Sequence, residues 1–198
     1  NHLEKNSLRA NISAFPSEKL NLKVSTGFTW SKIFLPQMDN NIYSWNSNAF
    51  VYQNRWNNCD SAAIAAYTNK NESNQFIGSA SMVWRPIRNL EFNVGSGLEF
   101  TTWDGTSLRP YGYSYGGVTT GVKDLTRRFI KQFTHDLNAR YSVNLFDVNL
   151  TSIVGTQVLD RSSFSQASGG TYFPNEAIQT IQSATQADIA TESRSNTR

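Results

Sequence analysis

Hydrophobic and polar residues alternate along three stretches of this chain. In the first, Leu8, Ala10, Ile12 and Ala14 alternate with Arg9, Asn11 and Ser13. After a break, Leu20, Leu22, Val24, Thr26, Phe28 and Trp30 alternate with Asn21, Lys23, Ser25, Gly27, Thr29 and Ser31. Successive side chains of a strand point to opposite faces, so each arm predicts a strand with one apolar and one polar side. Pro16-Ser17-Glu18-Lys19 between them predicts a tight turn, because proline presets φ and cannot donate to a ladder.

The same unit recurs twice. Phe76, Gly78, Ala80, Met82 and Trp84 lead to a turn at Pro86-Ile87-Arg88-Asn89, then Leu90, Phe92, Val94, Ser96, Leu98 and Phe100 return. Phe133, His135, Leu137, Ala139, Tyr141 and Val143 lead to a short connection near Leu145-Phe146-Asp147, and Val148, Leu150, Ser152, Val154 and Val158 follow. The pattern predicts an all-β, antiparallel up-and-down meander of about six strands, with hairpins at about 8–34, 76–103 and 127–159. Polar segments at 36–75, 104–126 and 160–198 separate or follow the hairpins as long loops. Ser61–Tyr67 suggests a helical turn or two, and Ile178, Ile181 and Ala184 give weak helical spacing.

Short turns at one end and long loops at the other are the asymmetry of outer-membrane barrels. Aromatics cluster at both strand ends, with Phe15, Trp84 and Phe146 beside the short turns and Trp30, Phe34, Phe100 and Trp103 near the long loops. Two interfacial girdles would lie there. The expected architecture is an open segment of a large transmembrane β-barrel, its apolar face (Leu20, Leu22, Val24, Phe92, Val94, Leu137, Val148) against outer-membrane lipid. Lys23, Glu91, Glu99, Asp136 and Arg140 fall on the other side and are expected to face the lumen. Carboxylates there need water or partners. Trp45, Trp56, Tyr111, Tyr113 and Tyr115 in the long loops are candidate contacts for a ligand or a lid protein.

Composition narrows the choices. Mean hydropathy is −0.47 over 198 residues, and no apolar run is long enough for a transmembrane helix. Barrel strands need only alternation, so a membrane location stays open. The net charge of +3 is scattered and gives no basic patch for nucleic acid. The single cysteine, Cys59, permits no internal disulfide. Asn1–Lys5 lacks the apolar core of a signal peptide, so an address has been removed or the chain is an internal piece. With only His2 and His135, and no nucleophile elbow, phosphate loop or thiolate pair, neither enzyme, metal nor cofactor is expected. Glu91 and Glu99 are eight residues apart on one strand, too far for a glycosidase pair.

The order of the pieces also carries a resemblance. LRANISAFPSEKLNLKVSTGFTWS followed by LPQMDNN, QFIGSASMVWRPIRNLEFNVGSGLEFTTWD, and VNLTSIVGTQVL followed by Gly169-Gly170 and Tyr172-Phe173-Pro174 resemble the barrel of TonB-dependent outer-membrane receptors of the SusC/RagA-like branch. The resemblance implies a barrel of about twenty-two strands around a plug domain. It also implies import of oligosaccharides, peptides or other nutrients, energy delivered through TonB, and a SusD-like surface lipoprotein as lid. No plug domain, TonB-contacting segment or barrel-closing strand is recognisable here. The alternative is a soluble all-β carbohydrate-binding module of a secreted protein. In such a sandwich, the apolar faces of two sheets would meet inside.

Overall fold

The computed structural model describes residues 2–35, 44 and 61–197. Its strands are β1 (His2–Ser17), β2 (Leu20–Leu35), β3 (Thr68–Ile87), β4 (Leu90–Arg109), β5 (Val122–Leu145), β6 (Val148–Thr171) and β7 (Gln186–Thr197). They form one seven-stranded antiparallel sheet in sequential order, not closed into a barrel. The six-residue helix α1 (Ser61–Ala66) precedes β3, and a single 3₁₀ turn at Ile181–Ser183 precedes β7. The helical spacing over 175–190 therefore yields only that turn, because the chain pairs as β7 from Gln186 onward.

Each alternating stretch folds as an antiparallel hairpin, β1–β2, β3–β4 and β5–β6. Irregular register at Ala14/Ser17 and at Trp84/Ile87 accommodates Pro16 and Pro86 beside the first two turns. The third turn holds Phe146 at φ 55°. The strands run well past the apolar alternation. Thr68–Gln75, Asp104–Arg109, Val122–Thr126 and Asp160–Thr171 were expected as loop and are strand. There isolated apolar residues such as Leu108, Leu125 and Phe164 stand among polar ones on both faces, so the regular alternation that marks a half-buried strand disappears while the ladder continues.

The register stacks the alternating residues into cross-strand rows. One row is Ala14, Leu22, Met82, Val94, Leu137 and Thr156; the next is Ile12, Val24, Ala80, Ser96, His135 and Val158. Leu22, Val94 and Leu137 thus lie side by side on one face of one sheet, and the expected alternative of a two-sheet sandwich is not what the described residues form. No second layer of described residues covers this face. Ile12, Val24, Leu137 and Val154 are 66%, 44%, 49% and 75% exposed.

Among the described residues, the buried apolar side chains lie outside the sheet, in its connections. Ala63, Ile64, Tyr115 and Phe173 are each at most 3% exposed. They tie the connections at the long-loop end to one another. The Tyr115 hydroxyl donates to the Ala63 carbonyl, and the Phe173 amide donates to the Thr120 carbonyl. The Tyr111 amide donates to Gln179 Oε1 at 2.9 Å, and Lys123 Nζ donates to the Gln179 carbonyl at 3.2 Å. Gly121 sits in this cluster at φ +79°, where an added Cβ would lie 2.7 Å from the Phe173 ring. Gly121→Ala combines left-handed strain with a ring clash, and is expected to loosen 110–121 by about 1–3 kcal/mol. Faster amide exchange confined to 110–121 and 172–185 would report it.

Candidate functional site

The two faces of the sheet differ in chemistry, and the polar one carries most of the functional groups. Lys23, Glu91, Glu99, Asp136 and Arg140 all project on this polar side by register. Glu91 and Arg140 are direct cross-strand partners on β4 and β5. Arg85 reaches Glu91 at 2.7 Å, and Asn93 Nδ2 donates to the same carboxylate at 2.9 Å. Arg85 and Arg140 therefore flank one carboxylate at the short-turn end, beside a hollow of about 160 Å³ that Arg88, Asn89 and Ser142 also line. Glu99 lies farther along β4 and accepts from Gln75 at 2.9 Å and Thr101 at 3.2 Å. Lys23 and Asp136 share a row through Ser81 and Gly95 but sit on β2 and β5, three strand spacings apart. At about 4.8 Å per spacing they are roughly 14 Å apart in the sheet, too far to pair.

A second hollow on the same face, of about 260 Å³, opens beside Gly27 between Arg9, Ser25, Gln75 and Ser79. The polar face is thus lined mainly by hydroxyls, amides and charges, some of them paired with one another. It can hold water and a polar solute.

The opposite face is apolar only part way up. Beyond the row Trp30, Asn74, Thr102, Phe129 and Phe164, it turns charged at Lys32, Glu72, Asp104 and Arg127. Arg127 Nε donates to Asp104 at 2.6 Å, and Lys32 and Lys70 approach Glu72 at 3.8 and 3.1 Å. Lys131, just below, lays its ammonium 4.5 Å from the Phe133 ring centroid and 5.8 Å from that of Phe100. From Leu20 to Trp30 the apolar part of β2 covers eleven residues, ten rises of about 3.3 Å or about 33 Å.

The loop aromatics divide. Trp45, Trp56 and Cys59 lie outside the described residues. Tyr113 is 37% exposed and Tyr111 half-buried, so both keep surface for a contact. Tyr115 is 3% exposed with its hydroxyl engaged, so it pins loops together and offers no ligand face, contrary to expectation. Trp103 also departs from expectation. It was assigned to the girdle with Phe100, but its partners Ser73 and Arg128 place it on the polar face. The signal was its odd number: it shares parity with Glu99 and Thr101.

Among the described residues, no group of three or more His, Cys, Asp or Glu could hold a metal ion. No helix among them is long and apolar enough to cross a membrane, which says nothing of strands.

No protein-family model and no curated protein matches this sequence. Solved structures do match the fold. The chain superposes on the RagAB peptide transporter with a TM-score of 0.81 at 13% identity, covering 98% of this chain. Against the RagAB peptide importer in its closed-closed and open-open states the TM-scores are 0.78 and 0.79, each at 12% identity. The chain spans only 24% of the length of each of those chains. At such identity the likeness is one of fold: an all-β sheet shared with part of a transporter.

Proposed function

We propose that this chain is a wall segment of a bacterial outer-membrane transporter of the TonB-dependent, SusC/RagA-like kind, importing a nutrient such as an oligosaccharide or a peptide. One observation carries the reading. The short-turn half of strands β1–β6 presents an apolar band with no layer of described residues over it, bounded at the long-loop end by paired charges. In water such a face would be a severe liability. In a bilayer it is the contact surface: about 33 Å of β2 tilted by about 40° spans roughly 25 Å, the height of an outer-membrane apolar band.

On this reading the polar face is the lumen, where Lys23, Glu91, Glu99, Asp136 and Arg140 meet water or a plug. The cross-tied loops stand outside the cell, with Tyr111 and Tyr113 available to ligand or to a SusD-like lipoprotein lid. Trp45 and Trp56 belong to the same proposed outside surface. The remaining wall, the plug and the TonB contact would come from other parts of a longer protein. His135 lies on the lipid side near mid-height, hydrogen-bonded through Nδ1 to Ser96 Oγ at 2.9 Å. That partner lowers the cost of placing an imidazole in hydrocarbon.

The test is uptake by cells with and without the full-length protein, using labelled oligosaccharides and peptides too large for passive pores. Energy-dependent uptake of one class should disappear with the protein and with an uncoupler. Uptake unchanged by deletion for every substrate would count against the proposal.

A further inference from the structure

We propose that Trp103 is a stacking platform for one pyranose ring of an oligosaccharide, on the water-facing side of the sheet. This rests on the reading of the polar face as a lumen and adds a subsite to it. Trp103 is a large aromatic set among polar groups: its row holds Ser31, Ser73, Arg128 and Ser165. Gly105, two residues on, is buried directly beneath it. A Cβ added at Gly105 would lie 2.6 Å from Trp103 Cη2 and 3.0 Å from Cζ3. The Cη2–Cζ3 end of the indole therefore lies over the Gly105 backbone along β4, and the residue as a whole is half-buried. No second layer of described residues lies over this face of the sheet. Phe76 over Gly78 repeats the device on the apolar face, where hydrocarbon takes the outer ring surface.

The flanks of the platform supply what a sugar needs. The axial C–H groups of a pyranose carry partial positive charge and fit the negative face of an aromatic ring. Its equatorial hydroxyls then point outward in the ring plane. Ser73 and Arg128 stand one strand away on either side, at about 4.8 Å. Asn71 Oδ1 is 3.1 Å from the position of the Gly105 Cβ, and Thr101 and Gln75 lie one row below. Hydroxyl, amide and guanidinium groups around an apolar plane match vicinal diols. An extended peptide is less well served. The backbone at Trp103 is paired with β3 and β5 on both sides, so no main-chain groups remain for strand addition.

The experiment uses the full-length protein in detergent, titrated by calorimetry with maltoheptaose, cellohexaose, laminarihexaose and a mixed nonapeptide pool. At least one oligosaccharide should bind the wild type. Trp103→Ala should weaken it about ten-fold, the equivalent of 1.4 kcal/mol, and Trp103→Phe by less. Gly105→Ala, which lifts the ring but keeps Trp103, should also weaken binding several-fold, with the melting temperature of the Phe variant held as a fold control. Unchanged sugar affinity in Trp103→Ala, no oligosaccharide binding at all, or binding of peptides alone would overturn the proposal. A separate arm tests the premise: brominated lipid should not quench Trp103, compared by difference with Trp103→Phe. Quenching that the Phe variant removes would place the ring in lipid and sink the lumen reading itself.

Discussion

Replacing Val24 by arginine is expected to destabilise the folded protein in a bilayer by about 2–4 kcal/mol, the cost of a cation near the midplane of a barrel's lipid face. Val24 belongs to the row of Ile12, Ala80, Ser96, His135 and Val158, near the middle of the apolar band. The neighbouring substitution Ser25→Arg should change stability by less than about 0.5 kcal/mol, since the new charge enters a polar, hydrated row. The two sites are one residue apart and differ only in which face they serve. Urea titration of the full-length protein refolded into vesicles measures both. Equal losses at the two positions would mean that the faces do not differ in environment. A stable Val24→Arg variant would mean that hydrocarbon does not touch this side.

The second large effect belongs to the loop cluster. Tyr115→Ala removes a buried ring and a hydrogen bond to α1. Its expected cost to the local structure is about 3 kcal/mol, in the range for buried aromatics replaced by alanine. Tyr115→Phe keeps the ring and should cost about 1 kcal/mol, one net hydrogen bond. Amide exchange resolves the outcome, because local opening reports on separate units of the fold. Protection should fall at α1 and over 110–121 in the alanine variant, while β2 and the turn ends of β5 and β6 stay unchanged. Unaltered protection at α1 would show that Tyr115 does not couple these connections.

The residues differ in how plainly they announced this arrangement. Leu20 to Trp30 and Leu90 to Phe100 alternate without a break, so strand, face and turn follow directly from periodicity. The upper strand ends carry no such mark. In Thr68–Gln75 the row positions Lys70, Glu72 and Asn74 are as polar as their neighbours, because above an apolar band both faces meet water. The strand β7 is hidden for the same reason: its sequence QADIATESRSNT has no apolar stripe, and only pairing with β6 defines it. The five charged positions were legible because parity alone assigns a face. Parity also assigned Trp103, but proximity to Phe100 and to the strand end suggested a girdle and outweighed it. Tyr115 could not be read at all. Its burial depends on α1 and on loops far apart in sequence, and a Gly/Tyr-rich stretch looks the same whether it packs or is solvated.

The claim on which everything else stands is that the two faces of β4 meet different solvents. The most direct measurement is a cysteine scan of positions 90–100 in the full-length protein with Cys59 replaced by serine, reconstituted in sealed vesicles and treated with a charged, water-soluble maleimide. Labelling should alternate, strong at 91, 93, 95, 97 and 99 and weak at 92, 94, 96 and 98. Uniform labelling along the strand, with protein that stays monodisperse without detergent, would contradict it.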